Sequence, residues 1–508
     1  MIMQQSIRPG DLEGQTIAAV DLGSNSYHMI IARVDQGQIA VLDRLREPVR
    51  MAAGLSSDGR LDPAVRDRAL NCLARFGQRL RSLDPAWKRA VATNSVRQLS
   101  NPRSFLMTAE TALGTPIEVV AGREEARLIY MGVAQGLAEE KGRRLVVDIG
   151  GGSTELIIGK GFNAQETEST QMGCVASTKR FFADGKVSSK RWEAAKAALQ
   201  LELAPTAQNY INRGWKQAYG ASGTMRAISR VLQERGGPER EIVAADLNRL
   251  VNDLIKAGSI DAIRFKSLSD DRRAVFLGGL CVAAAVFEQL ELQQVRVSDY
   301  AMREGILYDL IGRSRHEDPC EASVKKLAKR YGVDQAQERR VWKVLSGLFE
   351  QVRVVWNLDQ SDREILSFAS RTHEVGLAIA HSQHHRHGAY ILANTDLPGF
   401  SRQQQQRLAD LVGAHRRSLG SNALAGLSEE ERGHALRLIT LLRLAVLLNR
   451  SRTDDPIPQI ALQPFPGGLE LHLNPRWLHS HPLTRADLEQ EKSFLRQVKF
   501  ELRVVAEG

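Results

Sequence analysis

Residues 17–34 read IAAVDLGSNSYHMIIARV, and residues 145–158 read LVVDIGGGSTELII. Each phrase is an apolar run, an aspartate, a turn of glycine and small polar residues, and a second apolar run. Asp21 and Asp148 close the first runs, Gly23 and Gly150 stand two residues on, and residues 24–26 align with residues 151–153. Apolar runs flanking a glycine-rich turn predict a β-hairpin with a polar tip. Two such hairpins in one chain predict two lobes around a shared cleft.

The chemistry that suits these tips is phosphate binding. Glycine lets the backbone approach an anion closely, so that successive N–H groups converge on it. Ser24, Asn25 and Ser153 add side-chain donors, and Gly150, Gly151 and Gly152 free the second tip. Asp21 and Asp148, at strand ends, are placed to hold a divalent cation against phosphate oxygens. Ordinary hairpin turns use the same residue types, but the repeated order of Asp, Gly and Ser favours phosphate.

Outward from the hairpins, strands alternate with helices, the mark of an α/β protein. Residues 37–51 predict a third strand, and residues 61–83 carry Leu70, Leu73, Phe76 and Leu80 at helical spacing. A strand, a polar loop holding Arg97, and a helix from Asn101-Pro102 follow. Residues 115–120 form a strand, and residues 121–137 a helix opening on Glu124 and Glu125. After the second hairpin come a helix (188–210), a strand–glycine turn–helix unit through Ser222, Gly223 and Thr224, and a final strand–turn–helix ending near Gly312. Residues 314–450 show only helical patterns, and a hairpin about Gly467-Gly468 opens the tail. The expected domains are two α/β lobes (1–130 and 131–312), an all-α domain (313–450) and a small α+β domain (451–508).

A chain of 508 residues is too long for one core. The 69 Lys plus Arg against 59 Asp plus Glu leave a net charge of +10, which favours an anionic partner. Cys72, Cys174, Cys281 and Cys320 show no CxxC spacing, which argues against structural zinc and disulfides and for a reducing cytoplasm. Residues 1–15 lack the apolar core of a secretory signal, and the longest apolar stretch, 274–287, suits a buried helix. No segment fits GxxxxGK[ST].

Several residues invite chemistry. Glutamates at positions 124 and 125 stabilise a helix start through its dipole; beside a phosphate, one would instead orient or deprotonate a water. Glu155 is either a solvent-facing strand residue or a carboxylate turned into the cleft. Arg97 can grip phosphate bidentately, or lie on the surface. Residues 220–224 precede a helix and offer N–H groups to an anion, or merely cap it. His373, His381, His384, His385, His387 and His415 suggest metal ligation, or a face that meets an anion or solvent.

The segments VDLGSNSYHMIIARV, AGREEARLIYMGV, VVDIGGGSTELIIG, YGASGTM, RVSDYAMREGILYDL and HEVGLAIAHSQHHRHGAYILANTDLPGF resemble the exopolyphosphatase and guanosine pentaphosphate phosphohydrolase family. The resemblance runs from about residue 17 to the end. It implies actin-like (ribonuclease-H-like) lobes around a phosphate cleft, followed by an all-α HD-like domain. It also implies Mg²⁺-dependent, processive hydrolysis of terminal phosphates from inorganic polyphosphate, with Mn²⁺ as a substitute and K⁺ as an activator left open. Glu125 matches the residue that activates water. Asp148 and Glu155 match acids near metal and water, with Asp21 beside them. Ser24, Asn25, Gly150, Gly151, Gly152 and Ser153 match the phosphate loops, joined by Ser222, Gly223 and Thr224, with Arg97 as the cation.

A homodimer with a basic channel for the polymer is implied, in the cytoplasm, with peripheral membrane contact left open. The third domain departs from the HD pattern: its paired His-Asp reads His373-Glu374, and its distal Asp reads Val446. That domain is therefore expected to hold polymer or build the dimer. Guanosine pentaphosphate is the alternative substrate; a nucleotide-dependent kinase and a polyphosphate sensor are the other readings. Aromatic content of 6% and the lack of a base-reading motif argue against sequence-specific nucleic acid binding.

Overall fold

The computed structural model describes residues 14–35, 38–137, 142–314, 319–419 and 427–506. These fall into two compact units, residues up to 314 and residues from 319.

The first unit contains two sheets. One has the order β3-β2-β1-β4-β5, from Gln38–Glu47, Tyr27–Asp35, Thr16–Leu22, Lys88–Ala92 and Ile117–Val119. The other has the order β10-β11-β9-β6-β7-β8. Its strands are Arg143–Ile149 (β6), Thr154–Lys160 (β7), Asn163–Thr170 (β8), Gln217–Ala221 (β9), Glu241–Val243 (β10) and Gln294–Val297 (β11). Both sheets have an antiparallel hairpin with a third antiparallel strand on one side and two parallel strands on the other. The repetition extends to irregularities. The register slips between Ile31 and Ala32 in one sheet, and between Ile158 and Gly159 in the other, at matching distances from Asp21 and Asp148.

Two helices cross between the lobes. Gly122–Gln135 packs on β7 and β8, whereas Met302–Ser314 packs on β1, β2 and β4, and the helices pack on each other. The expected boundary at residue 130 therefore falls inside a helix that belongs to the second sheet. Buried charge ties this crossing: Arg127 grips Glu124 through two 2.8 Å hydrogen bonds and reaches Asp309 at 2.5 Å. Asp309 also accepts from Arg89 at 2.5 Å. The 276–289 stretch is the expected buried helix.

In the second unit, helices from Pro319–Arg330 through Glu429–Leu448 precede a sheet of β12 (Ala461–Phe465), β13 (Gly468–Leu473) and β14 (Glu501–Ala506). Leu469, Leu471 and Leu502 of the sheet share one buried core with Leu345, Leu366 and Leu441 of the helices. The expected all-α domain and small α+β domain are thus one body with a common core. All four cysteines are buried, and none is in a disulfide among the described residues. Among the described residues no helix is long and apolar enough to cross a membrane.

Candidate active site

The strand period positions the acids. Along β1, Ala18, Val20 and Leu22 face one core, while Ile17 and Ala19 face another that also contains Val146 and Ile157 of the second sheet. Successive strand residues point to opposite faces. Asp21 therefore shares the face of Ile17 and Ala19, and Asp148 that of Val146. By the same rule His28 follows Ile30 and Ala32, and Glu155 follows Ile157. All four side chains turn toward the region between the sheets. Register pairs Asp21 with His28 and Asp148 with Glu155.

The hairpin tips meet there. A Cβ on Gly151 would come within 2.9 Å of the Ser24 Cβ, so a side chain at this position would push the tips apart. Gly152 packs on Asn94 instead of the cavity wall. Gly150 N–H donates to the Ser153 carbonyl at 2.9 Å and closes its tip. Among the described residues, the N–H groups of Ser24, Asn25, Gly151 and Gly152 donate to no protein acceptor. Unused N–H groups on two converging tips form an anion-binding concavity.

A cavity of about 120 Å³ lies between the tips. Asp21, Glu125, Asp148 and Glu155 line it. Glu125 projects from the first turn of Gly122–Gln135, and its Oε2 accepts from Arg97 Nη1 at 2.9 Å. Burial raises the Glu125 pKa above the usual carboxylate value, and Arg97 opposes the shift. Burial and then the Glu125 charge push Asp148 up to about 7. Asp21 also rises to about 7, through burial and then Glu125. Glu155 is held well above its ordinary value by burial, Glu125 and Asp148, although Ser169 Oγ donates to it at 2.8 Å. Four carboxylates in one buried space resist ionising together.

The structure separates the adjacent glutamates by role: Glu124 is held by Arg127, while Glu125 faces the cavity. Arg97 stands in a one-turn helix, Asn94–Arg97, in place of the expected polar loop. Its guanidinium holds Glu125 and donates to the Val120 carbonyl at 2.7 Å, off the cavity wall. Ser222, Gly223 and Thr224 do line the cavity, but as the first residues of the helix Ser222–Glu234. Ser222 has a left-handed φ of 82°, and its Oγ accepts from the N–H groups of Thr224 and Met225.

The cavity's cations were not evident from the sequence. Arg226, Arg272 and Arg303 line it, from three segments far apart in the chain. Among the described residues the guanidinium groups of Arg226 and Arg272 make no hydrogen bond or ion pair. Arg272 lies over Gly223, where a Cβ would approach its Nη2 to 1.9 Å. Arg226, in the first turns of its helix, has its pKa lowered by burial and then by Arg303 and Arg272. His28 touches Arg303 at 3.3 Å, and burial and then Arg303 hold it well below its usual value, hence neutral.

Among the described residues no three His, Cys, Asp or Glu side chains are grouped to hold a metal ion by themselves. Mg²⁺ does not require such a cage, because it binds through one or two carboxylates together with waters and substrate phosphates. The residues fit it: Asp21 Oδ1 is buried and, among the described residues, without a hydrogen-bond partner, and Asp148 faces the same cavity.

Residues 30–314 match the model of the Ppx/GppA phosphatase family, and residues 320–492 match Ppx/GppA phosphatase, domain III. An exopolyphosphatase from Cytophaga hutchinsonii is similar in structure, with 24% identity and a TM-score of 0.53 over 58% of this chain and 98% of that one. An Aquifex aeolicus Ppx/GppA family member has 24% identity and a TM-score of 0.51 over 59% of this chain and 99% of that one. These likenesses agree with two lobes of actin-like fold.

Proposed function

Because the chain belongs to the Ppx/GppA phosphatase family, we propose that it is an exopolyphosphatase that hydrolyses the terminal phosphate of inorganic polyphosphate. One observation carries the reading: a single cavity brings unused N–H groups from two tips and three arginines to face four buried carboxylates. A terminal phosphoryl needs its charge neutralised, its attacking water aimed and its leaving phosphate stabilised.

The tips and Arg226, Arg272 and Arg303 bind and orient phosphate oxygens. Asp21 and Asp148 would hold Mg²⁺, with Glu155 beside them; when bound, that ion neutralises phosphate charge. Glu125 takes a proton from water as the water oxygen bonds to phosphorus. The bridging P–O bond breaks, and the shortened chain leaves with the electron pair. A carboxyl raised toward neutrality is a better base than an ordinary one. Arg97, through its 2.9 Å contact, orients Glu125. Homodimerisation and a basic polymer track belong to this reading, and the net charge of +10 supports the track.

Orthophosphate release from long-chain polyphosphate and from guanosine pentaphosphate, with Mg²⁺ and with ADP monitored, tests the proposal. Release from polyphosphate at the higher kcat/KM is expected. Release from guanosine pentaphosphate alone would move the chain to the other substrate of the family. ADP turnover would make it a kinase, and polymer binding without release would make it a sensor.

A further inference from the structure

The second unit contains a larger cavity, of about 390 Å³, within the range of about 300–1,000 Å³ usual for small-molecule sites. His373 and His415 line it, 1% and 2% exposed, with rings 5.5 Å apart. His373 Nδ1 lies 2.7 Å from the Ser370 carbonyl oxygen, and His415 Nδ1 lies 2.6 Å from that of Val412. A carbonyl only accepts, so each Nδ1 carries the ring proton and each Nε2 bears a lone pair. Burial supports this state by holding His373 down to about 4 and His415 well below its usual value. Both Nε2 atoms are buried and, among the described residues, without a hydrogen-bond partner. Such acceptors call for a donor.

The same walls call for an anion. Five arginines line the cavity against three acids, Glu374, Asp487 and Glu491. Arg443 is spent on Glu491 and on the carbonyls of Ala414 and Arg417, which fixes the turn carrying Arg416 and Arg417. Arg450 pairs with Asp487, and Arg452 with Glu374 and Asp334. Among the described residues Arg416 and Arg417 have no carboxylate partner; Arg416 touches the His384 ring at 3.0 Å. Arg417 holds a left-handed φ of 63°, a strained backbone for a non-glycine residue.

We propose that this cavity binds a phosphate monoester that also carries hydroxyl or amino groups, a sugar phosphate or a nucleoside phosphate. The phosphate meets Arg416 and Arg417, and O–H or N–H groups of the same molecule donate to His373 and His415. The interior of a polyphosphate chain has no donor and would leave both Nε2 atoms unsatisfied. A metal ion is the poorer occupant, because the arginines oppose it and no three ligands are grouped among the described residues. His373, Glu374 and Val446 do share this cavity, with Val446 as an apolar wall where the HD pattern has an acid ligand.

Calorimetric titration of the full chain with ribose 5-phosphate, adenosine monophosphate, orthophosphate and tripolyphosphate tests this. At least one ester is expected to bind, and the tighter ester identifies the source. Arg416→Gln and His415→Phe should each weaken it about tenfold or more, while Arg226→Gln in the other unit leaves it unchanged. In the binding that Arg416→Gln removes, orthophosphate and tripolyphosphate should be about tenfold or more weaker than that ester. If His415→Phe melts early, Arg417→Gln, at an exposed position, replaces it. The proposal is overturned if neither ester binds, if binding follows Arg226 instead of Arg416, if tripolyphosphate matches the ester in the binding that Arg416→Gln removes, or if the site takes one Zn²⁺ that His415→Phe abolishes.

Discussion

The two hairpins share one plan and part at the cross-strand pair that faces the cavity. Each carries an aspartate one residue before the end of its first strand, turns through a glycine-containing tip and slips register at the same place. In the second hairpin Asp148 faces Glu155; in the first Asp21 faces His28, which contacts Arg303. Repetition thus supplies the symmetric phosphate clamp, and one divergent position supplies chemical asymmetry. One tip gathers negative charge, and the other sets a neutral ring and a guanidinium beside its aspartate.

The comparison breaks most completely where the copies are alike. Asp148→Asn and Asp21→Asn should each lower kcat for orthophosphate release by about 100-fold or more, measured with saturating Mg²⁺. If only one does, the copies do not share a role. Next, Glu155→His, which writes the first hairpin's partner into the second, should cost about 10–100-fold in kcat. An unchanged rate would make the pair a structural accident.

The reverse exchange, His28→Glu, adds a fifth carboxylate to the cavity. It should move the acid limb of the pH–rate profile up by about one unit, because like charges raise one another's pKa; an unmoved limb would place His28 outside this electrostatic group. The smallest effect is on stability. Asp21 and Asp148 rise from 3.8 to about 7 on folding, so between these values the folded state binds protons more tightly than the unfolded one. Their contribution is fully present below about pH 4 and is lost as pH rises through about 7. Metal-free Asp148→Asn should therefore melt roughly 2–4 °C above wild type at pH 8, with no such gain at pH 4. Equal melting at both pH values would mean that the acid cluster costs nothing.

How much of this was legible follows from where each signal resides. Asp21, Asp148 and Glu155 lie in a strand–turn–strand phrase that the sequence repeats, so their place at the hairpin tips follows from sequence, whereas strands buried on both faces show no alternation that would tell which face each acid takes. The antiparallel hairpin in each sheet follows from the same repeat. Arg226, Arg272 and Arg303 carry no local mark: each resembles a surface arginine until three separate segments converge. From sequence Arg97 is a phosphate-gripping cation in a loop, because a sequence does not show that Glu125 lies 2.9 Å away. The merged core of the second unit was hidden for a related reason, since a change from helices to strands looks like a boundary even where leucines from both interlock.

The most direct test compares orthophosphate release from long-chain polyphosphate by wild type and Glu125→Gln at saturating Mg²⁺. A fall in kcat of about 100-fold or more, with KM little changed, is the predicted result. Equal kcat in the two proteins would contradict the account, because the carboxylate at the centre of the cavity would then take no part in the reaction.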